Sequence, residues 1–123
     1  MKPLKHAMAS VHRYGGTLED YLPIHDFLDS SKSTHSDMRH RALFHNSLGP
    51  YVAERIFGVY ITNSDGKKIS VRDVAEDHIK EDLDGRIPSV SQWLNNMPLE
   101  EWMGGNTAKS RKSKTIIDFD NID

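Results

Sequence analysis

The 123-residue chain contains no cysteine. That excludes a disulfide framework, a thiol nucleophile and every cysteine-based zinc cluster, and it suits a reducing compartment. No apolar run approaches the roughly 20 residues that a membrane-spanning helix requires. The opening stretch MKPLKHAMASVHRYGG lacks the apolar centre of a secretory signal, so a cytoplasmic protein is expected. A dominant charge is also missing: 16 Lys and Arg stand against 18 Asp and Glu, so no domain-wide basic field would draw in nucleic acid. There is no phosphate-cradling glycine loop and no Gly-x-Ser-x-Gly elbow, and the NSDG stretch lacks the further acids of a calcium loop.

What is present is a chain with 37% hydrophobic and 28% charged residues, apolar enough to fold and long enough for one modest core. The expected organisation is one helical domain over residues 1–105, followed by a polar, partly basic tail over 106–123. Within that tail, Lys109, Arg111, Lys112 and Lys114 are the one segment suited to nucleic acid. The compositional excess is histidine, seven in all. Histidine is both the commonest metal ligand and the usual acid–base group near neutral pH.

The spacing predicts a mainly α domain of five or six helices with one small β-hairpin at about residues 58–70. Helix one should run from residue 3 to 14, burying Leu4, Ala7, Met8 and Val11 and ending at Gly15. Asp20 is the expected cap of a second helix over 21–31. A third should start near Asp37 and run to Phe57 on a stripe of Phe44, Leu48, Tyr51, Val52 and Ile56, with a kink or a new start at Pro50. Ser70 should cap a fourth helix reaching Asp84, and Ser89 with Gln92 forms a capping box for a fifth.

Two helices carry His-x-x-x-Asp: His25 with Asp29, and His78 with Asp82. At that spacing both side chains leave one helix face and can share an ion or a hydrogen bond. His78 and Asp82 also fall inside an apolar stripe, where an ionisable group must be paired, hydrogen-bonded or metal-bound. Imidazole and carboxylate together suit zinc or another divalent metal, which takes three or four such ligands. The bland alternative is a structural His–Asp hydrogen bond within the core. In DMRHRALFH, His40, Arg41 and His45 should border the packed face while Arg39 points away. Arg41 suits a bidentate clamp on a carboxylate or phosphate, or else a salt bridge to Glu54, Glu76 or Glu81. The His25-Asp26 doublet offers a fold-level analogy to metal phosphohydrolases built on a histidine–aspartate doublet.

HAMASVHRYGG, DYLPIHDFLDSSK, MRHRALFHNSLG, ITNSDGKKISVRDVAEDHIKEDL and IPSVSQWL together resemble a family of short bacterial and bacteriophage proteins of uncharacterised function, over residues 6–103. The matching positions are His6, Ser10, His25, Asp29, Lys32, Arg39, His40, Arg41, His45, Arg72, Glu76, His78, Glu81, Asp82 and Trp93. The resemblance implies no activity, but it implies that this polar set belongs together. It includes His6, which helical spacing alone places on an exposed face. The chain departs from the family at Pro50, where an apolar residue is more usual.

The leading expectation is a pocket binding a divalent metal, zinc first, or an anionic small molecule. Its metal ligands come from His25, Asp29, His45, His78 and Asp82, with His40 and His6 as further candidates. If the pocket is catalytic, metal-assisted hydrolysis of a phosphate ester is the natural class, with Arg41 neutralising the anion and Glu76 or Glu81 as base. The rival is a non-enzymatic phage protein that binds and modulates a host protein, the His/Arg/Asp set being a structural network.

Overall fold

The computed structural model describes residues 1–105, and the expectations for the tail lie outside them. Among the described residues are five α-helices and one two-stranded antiparallel hairpin, a mainly α domain as the spacing predicts. No described helix is long and apolar enough to cross a membrane.

Helix α1 spans Pro3–Tyr14. Pro3 suits the first turn, where no backbone donor is needed, and Gly15 ends the helix at φ 80° with its N–H bonded to the Val11 carbonyl. The buried face keeps only half of the apolar stripe expected: Ala7 is in the core and Val11 packs against it, but Leu4 and Met8 do not. His6, Ala7 and Ser10 are buried, whereas Leu4 and Met8 are 51% and 57% exposed. The helix has rotated its polar residues inward because their partners lie on two other helices.

Helix α2 spans Leu18–Asp29, three residues earlier than Asp20 as a cap would allow. Thr17 holds the cap position, and Asp20 closes a reciprocal box by accepting the Thr17 N–H at 2.8 Å. Pro23 therefore lies inside the helix, with Tyr21, Ile24 and Leu28 packed into the core.

The continuous third helix does not form. Met38–Ala42 is a 3₁₀ turn capped by Asp37, and helix α3 begins only at Leu48 and ends at Phe57. Asn46 makes the break: its amide donates to the Ala42 carbonyl, while its oxygen accepts the Leu48 and Gly49 N–H groups. Gly49 cannot be replaced without movement, since a Cβ there would stand 1.9 Å from the Phe44 carbonyl oxygen. Pro50 sits in the first turn of α3, where its missing donor costs little. The inward face of α3 is Gly49, Pro50 and Ala53, and the predicted stripe residues Leu48, Tyr51 and Ile56 are exposed.

Strands β1 (Tyr60–Thr62) and β2 (Lys68–Ser70) pair in the register Tyr60↔Ser70, Ile61↔Ile69, Thr62↔Lys68. Gly66 takes φ 81° in the turn, as a left-handed position demands. The hairpin carries the chain from α3 to helix α4 (Val71–Asp82), which Ser70 caps through the Asp73 N–H. Helix α5 is the short Val90–Leu94, with the Ser89–Gln92 box in place. Ala7, Tyr21, Ile24, Leu28, Ala53, Ile69, Val71, Val74 and Ala75 form the core, and Phe27, Phe44 and Phe57 close its side. Helices α1, α3 and α4 all pack on α2 or on one another, which brings four polar segments to one point.

Candidate metal centre

Helix α1 delivers His6 and Ser10, α2 delivers His25 and Asp29, the turn before α3 delivers His45, and α4 delivers His78, Glu81 and Asp82. The fourfold spacing does put each His–Asp pair on one inward face, but the shortest contacts cross between helices. His78 Nε2 lies 3.1 Å from Asp29 Oδ1, and His45 Nε2 lies 2.8 Å from Asp82 Oδ2. His25 turns away from Asp29 and meets His78 instead, Nδ1 to Nδ1, at 2.9 Å.

Four atoms therefore converge: Asp29 Oδ1, His45 Nε2, His78 Nε2 and Asp82 Oδ2. Their cross-contacts are 2.8, 3.1, 3.4 and 3.7 Å. A tetrahedral ion with bonds of about 2.0–2.1 Å sets its ligand atoms roughly 3.3 Å apart, in the middle of that range. The side chains are 6%, 0%, 0% and 1% exposed respectively. Asp29 Oδ2 and His45 Nδ1 are buried with no hydrogen-bond partner among the described residues. Two buried carboxylates whose oxygens come within 4.8 Å of one another fit a cation between them, while the unpartnered Asp29 Oδ2 has Lys32 Nζ as its ion partner at 3.9 Å.

The hydrogen bonds behind His78 point the same way. Ser10 has one hydroxyl proton and contacts both the His6 carbonyl, at 3.2 Å, and His25 Nε2, at 2.8 Å. Both contacts are satisfied together only when the hydroxyl donates to the carbonyl and His25 Nε2–H donates to Ser10. His25 Nδ1 then accepts from His78 Nδ1–H, and a neutral His78 presents a bare lone pair at Nε2 toward the two carboxylates. That is the tautomer a metal ligand needs, fixed from behind by an outer partner.

His6 serves differently. It donates to Glu81 Oε1 at 2.6 Å and to Asp82 Oδ1 at 3.1 Å. Burial works against its charge, but those two hydrogen bonds outweigh it and raise its pKa. Its ring stacks on His78 at 3.7 Å between centroids, with 22° between planes. Lone pairs lie in the ring plane, so nearly parallel stacked rings do not aim at one ion. The His6–His25–His78 group, although its nitrogens lie close together, is thus not a second metal site.

Burial first, then the neighbouring His78 charge, pushes His25 down to about 3, and burial first also lowers His78. Asp82 lies well below the usual carboxylate range: burial opposes ionisation, but hydrogen bonds from His45 and His6 prevail. Burial opposes ionisation of Asp29 too, but contact with His78, in the state where that ring carries a proton at Nε2, and the nearby Lys32 lower it.

Of the other candidates, Arg41 reaches the site, with Nη2 3.9 Å from Asp82 Oδ1, and it forms none of the salt bridges expected with Glu54, Glu76 or Glu81. Glu81 is occupied by His6 and by Arg13 at 2.6 Å. Glu76 makes no hydrogen bond or ion pair with the cluster, and its charge acts on Arg72. His40 is buried against Ser31 at 3.0 Å and meets His45 edge-on, with centroids 6.1 Å apart. Arg39 is exposed and pairs with Asp37. Asp26 is exposed, so the His25-Asp26 doublet does not act as a unit.

Two supports escaped reasoning by residue type. Ser10 lies four residues after His6 on the same face, a spacing that could have revealed it. Trp93 Nε1 donates to the His45 carbonyl at 2.9 Å, a contact across 48 residues that no local pattern announces.

Residues 1–103 match the family model described as a domain of unknown function (DUF6915), and the chain belongs to that family. No curated protein matches it. No solved structure matches it either.

Proposed function

We propose that this domain binds one divalent first-row transition metal ion, zinc in first place, through Asp29, His45, His78 and Asp82. The carrying observation is the convergence of two carboxylate oxygens and two imidazole nitrogens, all buried, with oxygen–nitrogen contacts of 2.8–3.7 Å that bracket the ligand separation of a tetrahedral ion. Four protein ligands make a closed site, so the ion's first role is to lock α2, the turn carrying His45 and α4 together. Metal-assisted phosphate-ester hydrolysis has less support, because Glu81 is already paired and Glu76 stands apart from the cluster. The reading as a protein that modulates a host partner draws on a different observation, the exposed Leu48, Tyr51 and Ile56 on α3.

Elemental analysis of untagged protein tests the metal reading. One ion per chain is expected, lost in His78→Ala and accompanied by a fall in Tm when a chelator removes it. A metal-free protein whose stability is indifferent to chelator and to added zinc overturns it.

A further inference from the structure

Two side-chain cations flank the proposed metal centre, one beside each ligand carboxylate, and the N-terminal ammonium, 2.8 Å from Asp82 Oδ1, is a third positive group there. Arg41 Nη2 stands 3.9 Å from Asp82 Oδ1, and Lys32 Nζ stands 3.9 Å from Asp29 Oδ2. Both distances exceed a hydrogen bond, and among the described residues neither side chain makes one. For Arg41 this matters more, because its five-donor fork is only 14% exposed. Each stands beside one of the two carboxylates that converge on the proposed ion, and the His40 ring abuts the ligand His45. Ser31 anchors His40 from behind through Nδ1.

The charge count gives this pair of side chains its purpose. A divalent ion between Asp29 and Asp82, with two neutral imidazoles, is electrically balanced. Arg41 and Lys32 are then left facing carboxylates already neutralised by the metal, with no other acid paired to them among the described residues. With the N-terminal ammonium the surplus is three positive charges, and a phosphate group, with about two negative charges near neutral pH, offsets more of it than a single carboxylate does. The guanidinium fork matches two oxygens of such a group, and the lysine supplies a point charge.

Resting on the metal reading, we propose that Arg41 and Lys32 form a binding site for a phosphate or phosphomonoester dianion beside the metal centre, completed when the metal is loaded. The test is calorimetric titration of inorganic phosphate into cobalt-loaded and metal-stripped full-length protein. Loading should tighten phosphate binding at least tenfold, and by reciprocity phosphate should tighten cobalt binding by the same factor. Arg41→Met should weaken phosphate binding roughly 10- to 100-fold, the value of a charge-assisted pair, with cobalt stoichiometry unchanged. Arg41→Lys should retain part of the affinity, and Lys32→Met, at a half-exposed position, should lose less than Arg41→Met. Acetate binding as tightly as phosphate overturns the assignment of the ligand class. Full cobalt uptake with phosphate binding absent, or unaffected by Arg41→Met, overturns this inference and leaves the metal centre standing. Failure of the wild-type protein to take up cobalt removes the metal reading itself.

Discussion

Acidifying the metal-stripped protein should unfold it well before its carboxylates titrate, and His25 is the main reason. His25 is wholly buried, with its nitrogens committed to Ser10 and His78, and its pKa lies at about 3 against an ordinary 6.5. The unfolded chain therefore binds a proton that the folded chain refuses. The stability this neutral ring contributes is complete above pH 6.5 and is lost as pH falls toward about 3. At roughly 1.4 kcal/mol per pH unit, the interval sets a ceiling of about 5 kcal/mol, comparable with the whole stability of many small domains. His78, also lowered, adds to the loss with the same sign. His6 opposes it: its pKa is raised, so its contribution is full below 6.5 and fades as pH climbs through its folded value. Urea midpoints in chelator at pH 7, 6, 5 and 4 measure the net slope. His25→Gln is the control, because a glutamine can accept from His78 and donate to Ser10 but does not titrate. It should flatten the slope by up to one proton. A wild-type midpoint constant from pH 7 to 5, or a variant with the wild-type slope, would refute the account of His25.

Other expectations concern packing and support. Gly49→Ala should cost about 1–3 kcal/mol in chemical denaturation, because its Cβ meets the Phe44 carbonyl oxygen and that backbone must move. Leu4→Gln and Met8→Gln should change stability by no more than about 0.5 kcal/mol despite removing large apolar groups from α1, since both side chains are more than half exposed. Asp82→Asn should abolish tight zinc binding and lower stability by about 3–5 kcal/mol at pH 7, leaving His6 without its buried counter-charge and His45 without its carboxylate partner. Trp93→Phe should cost about 1 kcal/mol through loss of the bond to the His45 carbonyl, and should weaken zinc affinity modestly in competition with a chromogenic chelator.

Elements with local signals were legible. Gly15, Gly66 and the Ser70 and Ser89 caps marked their turns and helix ends, because each acts on backbone groups within a few residues. Where a distant partner decided, local reasoning failed. Helical spacing predicts Leu48, Tyr51 and Ile56 as core, yet Gly49, Pro50 and Ala53 pack inward, Gly49 against the Phe44 carbonyl where a Cβ would not fit. The same reasoning placed Leu4 and Met8 inside and His6 outside, the reverse of what α1 does.

The sequence by itself determined the chemistry on offer: seven histidines, no thiol, and two His-x-x-x-Asp pairs whose spacing obliges each pair to share a helix face. It also determined a mainly α domain, since helical period and capping are local properties. Only the tertiary structure decided which atoms meet. Asp29 reaches His78 across 49 residues and His45 reaches Asp82 across 37, so the centre exists only once α2, the His45 turn and α4 have packed. The physical reason is that a helix fixes the direction of its side chains but not the neighbour they face. The packing of the small apolar core sets that neighbour, and it turns two histidine–carboxylate pairs into one four-atom site.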